Sequence, residues 1–179
     1  MASRLTSTIL KQANEIEDVN ERANWLRENA TYAVRGLLNF NFHPTVKFLL
    51  PEGEPDLEGL AIKREAEDYV LGTEFSHLNA EMKKMYLFYE GGADDLTQTK
   101  REMLYVALLE TINPKEAEIL DYMKDHKLTE LYPKLTQEVC HKAFPEVVPK
   151  PTPIKELLRD DKGRFAKKTK KTTKKGTKK

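Results

Sequence analysis

The residue types that most often carry catalysis or bind metals are present in this chain, but their spacing assembles no site. No two of the four histidines have the three- or four-residue spacing that would place both rings on one helix face. They are His43, His77, His126 and His141. Cys140 lies next to His141, so on a helix their side chains would point about 100° apart and could not easily share a metal ion. We therefore expect no metal site, no cofactor and no enzymatic activity.

Two further features are typical of reactive or phosphate-binding sites but fit ordinary structural roles better. Cys140 is the only cysteine, so a disulfide within the chain is excluded. Its place on the apolar side of a short predicted helix indicates a buried, unreactive thiol. Gly91 and Gly92 form an isolated pair without the lysine and hydroxyl residue of a phosphate-binding loop.

The strongest chemical signal is the charge of the C-terminal segment. Residues 162–179 contain nine lysines, one arginine and no acidic residue, which gives a charge of +10. The first 161 residues hold 20 basic and 29 acidic residues, a charge of −9. Such an unopposed run of positive charge matches the phosphate-neutralising part of nucleic-acid recognition. The residues predicted to contact DNA or RNA are Lys162, Arg164, Phe165, Lys167, Lys168, Lys170, Lys171, Lys174, Lys175, Lys178 and Lys179.

The basic tail is compatible with several roles besides phosphate contact. The guanidinium of Arg164 and the ring of Phe165 could stack on bases. The same charges could instead contact the acidic body or another protein, or only increase solubility. A polybasic segment without a lipid anchor or apolar partner binds membranes weakly, so we expect no membrane contact.

The body that carries the tail is organised around two helices joined near residues 112–114. Asn113 is a good N-cap, Pro114 suits the first helical position, and Glu116 is placed to reach back as the acid of a capping box. The first helix is predicted to begin near residue 97. Its broad apolar face is expected of a helix packed on more than one side. The face consists of Leu96, Met103, Tyr105, Val106, Leu108, Leu109 and Ile112.

Further helices are predicted over residues 6–12, 19–38, 60–72, 79–89 and 136–144. Asp18 is the expected cap of the helix over 19–38, and Thr136 is the expected cap of the helix over 136–144. Val19 begins the apolar stripe of the former. Residues 39–44 should break that helix, because Pro44 disfavours a helical conformation at the preceding residue.

Two glycines and a tyrosine carry further expectations about these helices. Gly36 either allows close helix packing or only weakens the helix over residues 19–38. Tyr86 is assigned to the inner side of the helix over residues 79–89, which Gly91 should end through a left-handed C-terminal cap.

Trp25 on the helix over 19–38 and the loop that starts at Phe40 and runs to Pro55 are the candidates for binding a protein partner. The residues assigned to this role are Trp25, Phe40, Phe42 and His43, because aromatic side chains near a loop make good anchors. The alternative is that they close the core, and for Trp25 burial is the better interpretation. The apolar run at residues 45–50 could be a short strand, a helical turn or an extended loop. Phe48 within it is expected to be buried.

These elements predict an all-α fold: one compact helical domain of about five to seven helices over residues 1–146. A proline-rich linker with room for one short helix follows at residues 147–161, and residues 162–179 form a disordered tail. No apolar run is long enough for a transmembrane helix, and the N-terminus lacks the apolar core of a signal peptide. A reducing, cytoplasmic setting is expected, and the sequence sets no oligomeric state.

The chain also resembles a family of small uncharacterised proteins of tailed bacteriophages, mostly large myoviruses of the T-even type. The resemblance is carried by runs in the same order over about residues 20–146 and does not include the tail. They are FHPTVKFLLPEG at 42–53, YLFYEGG at 86–92, KRE at 100–102, LLE at 108–110, PKEAE at 114–118, KDHKL at 124–128 and AFP at 143–145.

This resemblance implies a viral origin, a location in the host cytoplasm and a virus-specific task that need not be enzymatic. The family offers no active site to transfer. We expect a non-enzymatic phage accessory protein whose helical body binds a host or phage protein and whose tail contacts nucleic acid without sequence preference. The alternative is an interaction factor that modulates a host machine, with a tail that serves only solubility or self-contact.

Overall fold

The computed structural model describes residues 4–53, 55 and 75–151, and this part of the chain is built from helices without a β-strand. The predicted all-α fold is confirmed. The elements are α1 (Thr6–Glu15), α2 (Val19–Asn29), α3 (Tyr32–Phe42), α4 (Leu78–Glu81), a 3₁₀ helix (Met82–Leu87), α5 (Gln98–Thr111), α6 (Pro114–Lys124), α7 (Leu128–Leu131) and α8 (Gln137–Ala143). Two of the α-helices, α4 and α7, are single turns. The helix predicted over residues 60–72, the helix expected in the linker and the tail lie outside the described residues.

Helices α5 and α6 form the predicted central pair. The Asn113 side chain accepts a hydrogen bond from the Lys115 N–H at 3.0 Å, and Pro114 occupies the first helical position as expected. The inner face of α5 is narrower than predicted, because Met103 is 67% exposed. The buried residues of α5 lie on its other side and are Arg101, Tyr105, Leu108 and Leu109.

The single helix predicted over residues 19–38 is wrong, since the chain forms α2 and α3 with a break at residues 30–31. Asp18 caps α2 as predicted, accepting from two backbone N–H groups at 2.8 Å. Thr31 caps α3 by accepting from the Val34 N–H at 3.4 Å. Apolar residues are buried on both sides of the break, so the sequence pattern is continuous across it. Val19, at the start of α2, is 43% exposed rather than inward.

Helix α3 also runs further than predicted, to Phe42, so the break at residues 39–44 starts only at His43. His43 has the extended conformation expected of a residue before proline. The first residues of the predicted break are therefore helical, and Asn41 is buried in the last turn of α3, where its side-chain oxygen accepts from the Leu128 N–H at 3.1 Å.

The helix predicted over residues 79–89 is replaced by α4 and the 3₁₀ helix. A 3₁₀ helix has three residues per turn, which aligns Met82, Met85 and Phe88 on one buried line. Tyr86 falls off this line and is 49% exposed, so its inward assignment was wrong. The 3₁₀ helix ends at Leu87, so the prediction that Gly91 caps its C-terminus was wrong. Gly91, with φ of +83°, instead turns the chain four residues later through a conformation that favours glycine.

Gly36 allows α3 to approach the 3₁₀ helix closely, which decides between the two interpretations of this glycine. A Cβ atom at position 36 would lie 2.4 Å from the Met82 Cε atom. The flexible Met82 side chain fills this space and would have to shift if position 36 carried any other residue.

Residues 45–50 form an extended loop with a single antiparallel bridge between Phe48 and Tyr89. The Leu49 N–H donates to the Phe88 carbonyl at 2.8 Å, and the Glu90 N–H donates to the Lys47 carbonyl at 2.9 Å. Phe48 is only partly buried, not fully buried as predicted.

The C-terminal end of the described chain packs against α8. Val148 is fully buried, the His141 Nδ1 atom lies 2.7 Å from the Val148 carbonyl oxygen, and Gln137 donates to the Pro149 carbonyl at 3.1 Å. The chain therefore leaves the body from a fixed position beside α8. None of the helices in the described part is long and apolar enough to cross a membrane.

Candidate functional site

Three of the four residues predicted to bind a protein partner lie on two helices, and all four are partly buried. Trp25 is on α2, whereas Phe40 and Phe42 are in the last turn of α3, and all three pack against the core. His43 follows α3, and its Nδ1 atom lies 2.8 Å from the Thr45 hydroxyl oxygen. Their role in partner binding stays a prediction. The residues predicted to bind nucleic acid lie in the tail, outside the described part of the chain.

Phe40 belongs to a group of rings that we call the aromatic corner, formed by Phe40, Phe48, Tyr89 and His126. The Phe40 ring meets Phe48 edge-on at a centroid distance of 5.9 Å and lies 5.5 Å from Tyr89. The Phe48 ring lies 6.4 Å from His126. The corner therefore joins three segments on which the family resemblance rests, residues 42–53, 86–92 and 124–128.

His126 ends α6 in a left-handed conformation, with φ of +58°. The Lys127 N–H donates to the Tyr122 carbonyl at 2.8 Å, and the His126 N–H donates to the Met123 carbonyl at 3.0 Å. This pairing is the Schellman motif, which usually has glycine at the left-handed position. A side chain there costs about 1–2 kcal/mol. The contact of the His126 Nδ1 atom with the Asn41 carbonyl oxygen, at 2.8 Å, helps to offset that cost.

Beside His126, a buried ion pair holds the loop over residues 45–53 against α6. The Lys124 ammonium donates to the Pro51 carbonyl and to the Asp125 carboxylate, both at 2.7 Å. The second Asp125 oxygen accepts from the Gly53 N–H at 2.9 Å. The Lys124 side chain is 2% exposed. Lys124 also lies in the last turn of α6, where the helix dipole favours a positive charge.

A groove of about 310 Å³ opens next to this ion pair. Its lining residues are Gly53, Asp121, Tyr122, Asp125, Lys127 and Glu130. Two of its three carboxylates are already engaged, because Asp121 accepts from the Tyr105 hydroxyl at 2.8 Å and Asp125 is paired with Lys124. In the part of the chain that the structure describes, no three metal-ligating side chains are grouped to hold an ion. The groove therefore gives no specific support to metal binding or catalysis.

Two arginines of the body are buried and donate to backbone carbonyl groups. Arg22, 5% exposed, bonds the carbonyls of Ile16 and Glu17 before α2 and that of Lys134 in the segment between α7 and α8.

Arg101 likewise donates hydrogen bonds to backbone carbonyl groups, in the loop between the 3₁₀ helix and α5. It is 3% exposed and donates to the carbonyls of Leu87, Ala93 and Leu96. Both guanidinium groups are therefore engaged inside the body and are not presented to a phosphate.

The charges of the described residues, with Arg22 and Arg101 included, are almost balanced. They contain 16 basic and 19 acidic residues, which gives a charge of −3. Several exposed cations pair with acids or carbonyl groups, as in the Lys134–Glu17 contact. The described body is thus a poor electrostatic surface for a nucleic acid.

Cys140 is a buried thiol, as its position on α8 had predicted. Its Sγ atom contacts the Leu135 carbonyl oxygen at 3.8 Å. Burial raises the pKa of Cys140 to about 12, and nearby Arg22 only partly opposes this shift. A reactive cysteine has a lowered pKa, so this shift is opposite to the one that activates a thiol.

Comparison with known proteins adds a family but no activity. The model of a family of unknown function (DUF6433) matches residues 9–130, which includes every helix from α2 to α6 and most of α1 and α7. No curated protein and no solved structure matches the chain.

Proposed function

Because the chain belongs to the DUF6433 family, whose function is unknown, we propose a function from its own residues. It is a non-enzymatic accessory protein of a bacteriophage, and it acts in the host cytoplasm. Its lysine-rich tail contacts nucleic acid without reading sequence, and its helical body binds a protein partner. The phage origin is supported by the resemblance of the runs that meet at the aromatic corner.

The observation that carries this proposal is the separation of charge along the chain. The described residues have a charge of −3, whereas residues 162–179 have a charge of +10. Arg22, Arg101 and Lys124 are buried and bonded to carbonyl groups, so they cannot serve as phosphate ligands in the folded body. The tail is therefore the favoured source of phosphate contacts.

Binding of this kind has a measurable dependence on salt. Each lysine or arginine that neutralises a phosphate releases counterions, and log affinity falls with log salt by about 0.9 per contact on duplex DNA. If about half of the ten charges contact phosphate, the slope is about −4.5. Lysines on a tail carry no base-reading geometry, so the affinity should be the same for unrelated sequences of equal length.

The experiment is a fluorescence anisotropy titration of labelled duplex DNA at several salt concentrations. Three proteins are compared: the full chain, a chain that ends at residue 161, and a full-length chain with the nine tail lysines changed to glutamine. We expect binding by the full chain only. Equal binding by the shortened chain would place the contact on the body, and absence of binding by the full chain at low salt would refute the nucleic-acid proposal.

The second candidate function is a factor that binds and modulates a host machine, and the aromatic corner favours it. The corner combines the partly buried rings of Phe40, Phe48 and Tyr89 with the exposed residue His126. Aromatic side chains are enriched in the anchors of protein interfaces. Capture from infected cells by the full and tail-deleted chains, after nuclease treatment, separates the two candidates. One stoichiometric protein recovered by both chains, with no DNA binding in the titration, would favour this second function.

A further inference from the structure

Helices α1 and α4 lack a cap from their own neighbouring residues. The residues at their N-cap positions are Leu5 and His77, and neither side chain bonds a backbone N–H group of its helix. By contrast, α2, α3, α6 and α8 are capped locally by the side chains of Asp18, Thr31, Asn113 and Thr136. The first backbone N–H groups of α1 and α4 therefore need another acceptor.

Glu116 supplies that acceptor to both helices. One carboxylate oxygen accepts from the Thr6 N–H at 2.7 Å, and the other accepts from the Leu78 N–H at 2.9 Å. Thr6 and Leu78 are the first residues of α1 and α4. Glu116 is 1% exposed, so water cannot easily replace either contact. The residue lies in the first turn of α6, where the helix dipole also favours a negative charge.

We propose that Glu116 is a shared N-terminal cap that couples α1 and α4, so that the two helices undock from α6 as one cooperative unit. If α1 moves away, water reaches the carboxylate and competes with the Leu78 N–H group. If α4 moves away, the same competition weakens the bond to Thr6. Opening of this unit would expose the inner residues of α1, which are Ile9, Leu10 and Ala13.

Native-state hydrogen exchange of the full chain tests this coupling. Glu116→Gln retains one acceptor oxygen but turns an NH₂ group towards the second helix, so one of the two caps is lost. Loss of a buried hydrogen bond to a charged group corresponds to about a 10- to 100-fold rise in the opening equilibrium. We expect amides of both α1 and α4 to lose protection by the same factor, while amides of α8 keep theirs.

Asp18→Ala is the matched control, because Asp18 caps only α2. It should lower protection in α2 without a selective loss in α1 and α4. Loss of protection in only one of the helices that Glu116 caps, or an equal loss in every helix, would overturn the proposal.

If Glu116→Gln does not fold, a second measurement on the unaltered chain tests the coupling between α1 and α4. In the unaltered chain at low urea concentrations, amides of α1 and α4 should converge on one opening free energy and one urea dependence, below those of the global transition. Two distinct urea dependences for these helices would refute the coupling.

Discussion

Substitution of Arg101 tests whether the buried cations of the body stabilise loops through carbonyl contacts and do not bind ligands. The Arg101 guanidinium fastens the loop between the 3₁₀ helix and α5 through the carbonyls of Leu87, Ala93 and Leu96, the last two at 3.2 and 3.1 Å. Hydrogen bonds to charged groups contribute about 1.5–3 kcal/mol each, and long ones contribute less. We expect Arg101→Ala to lower the free energy of unfolding by about 3–5 kcal/mol, since single buried substitutions rarely exceed this range.

The measurement is urea denaturation followed by circular dichroism. Arg35→Ala is the matched control, because it removes the same charge from an exposed arginine that lies 5.2 Å above the Phe144 ring. That contact should be worth about 0.5–1 kcal/mol. Arg101→Lys should be destabilised as well, because one ammonium cannot reproduce the planar fork of a guanidinium. If Arg101→Ala unfolds within about 1 kcal/mol of Arg35→Ala, the loop does not depend on these bonds. Folded Arg101→Ala should also bind DNA like the unaltered chain.

Two further perturbations, one chemical and one by substitution, have defined outcomes. Cys140 should resist alkylation by iodoacetamide at pH 8 in the native protein, because burial raises its thiol pKa to about 12. It should react once urea unfolds the chain. Rapid reaction of the folded chain would contradict the burial of Cys140. Phe48→Ala should lower the free energy of unfolding by about 1–2 kcal/mol, less than the roughly 3–5 kcal/mol of a fully buried phenylalanine, because the ring is only partly buried. An unchanged melting temperature for Phe48→Ala would show that the ring does not contribute to the core.

Local signals in the sequence predicted local structure well. Asp18, Asn113 and Thr136 were identified as caps, and each accepts from a backbone N–H group two or three residues further along the chain. Such contacts depend only on residue type and spacing, so a sequence pattern can reveal them.

Contacts between distant residues were missed for the opposite reason. Glu116 has the position of a capping-box acid, but its partners are Thr6 and Leu78, 110 and 38 residues away. Lys124 reaches the Pro51 carbonyl across 73 residues. No local pattern distinguishes a glutamate or lysine that is exposed from one that fastens a remote segment, so the buried polar contacts required the structure.

The helix break at residues 30–31 was missed because two sequence signals conflict there. A possible N-cap residue indicates a new helix, whereas a continuous apolar stripe indicates a single helix. Thr31 is a normal N-cap residue, but the burial of Leu26 and Val34 preserves a helical spacing across the break. Likewise, Tyr86 was misplaced because an α-helical period was applied to a segment that forms a 3₁₀ helix.

The fixed exit of the chain beside α8 limits how far from the body the proposed nucleic-acid ligand of the tail can lie. Gln137 and His141 hold the backbone at Pro149 and Val148, and Lys179, the last lysine of the basic segment, lies 28 residues beyond Pro151. A chain of that length spans at most about 100 Å. Under the proposed function, a nucleic acid bound by the tail would therefore lie within this distance of the body that binds the protein partner. Tethered partners of this kind meet at local concentrations that can approach the millimolar range. The body could then favour encounters between two ligands without contacting the nucleic acid itself.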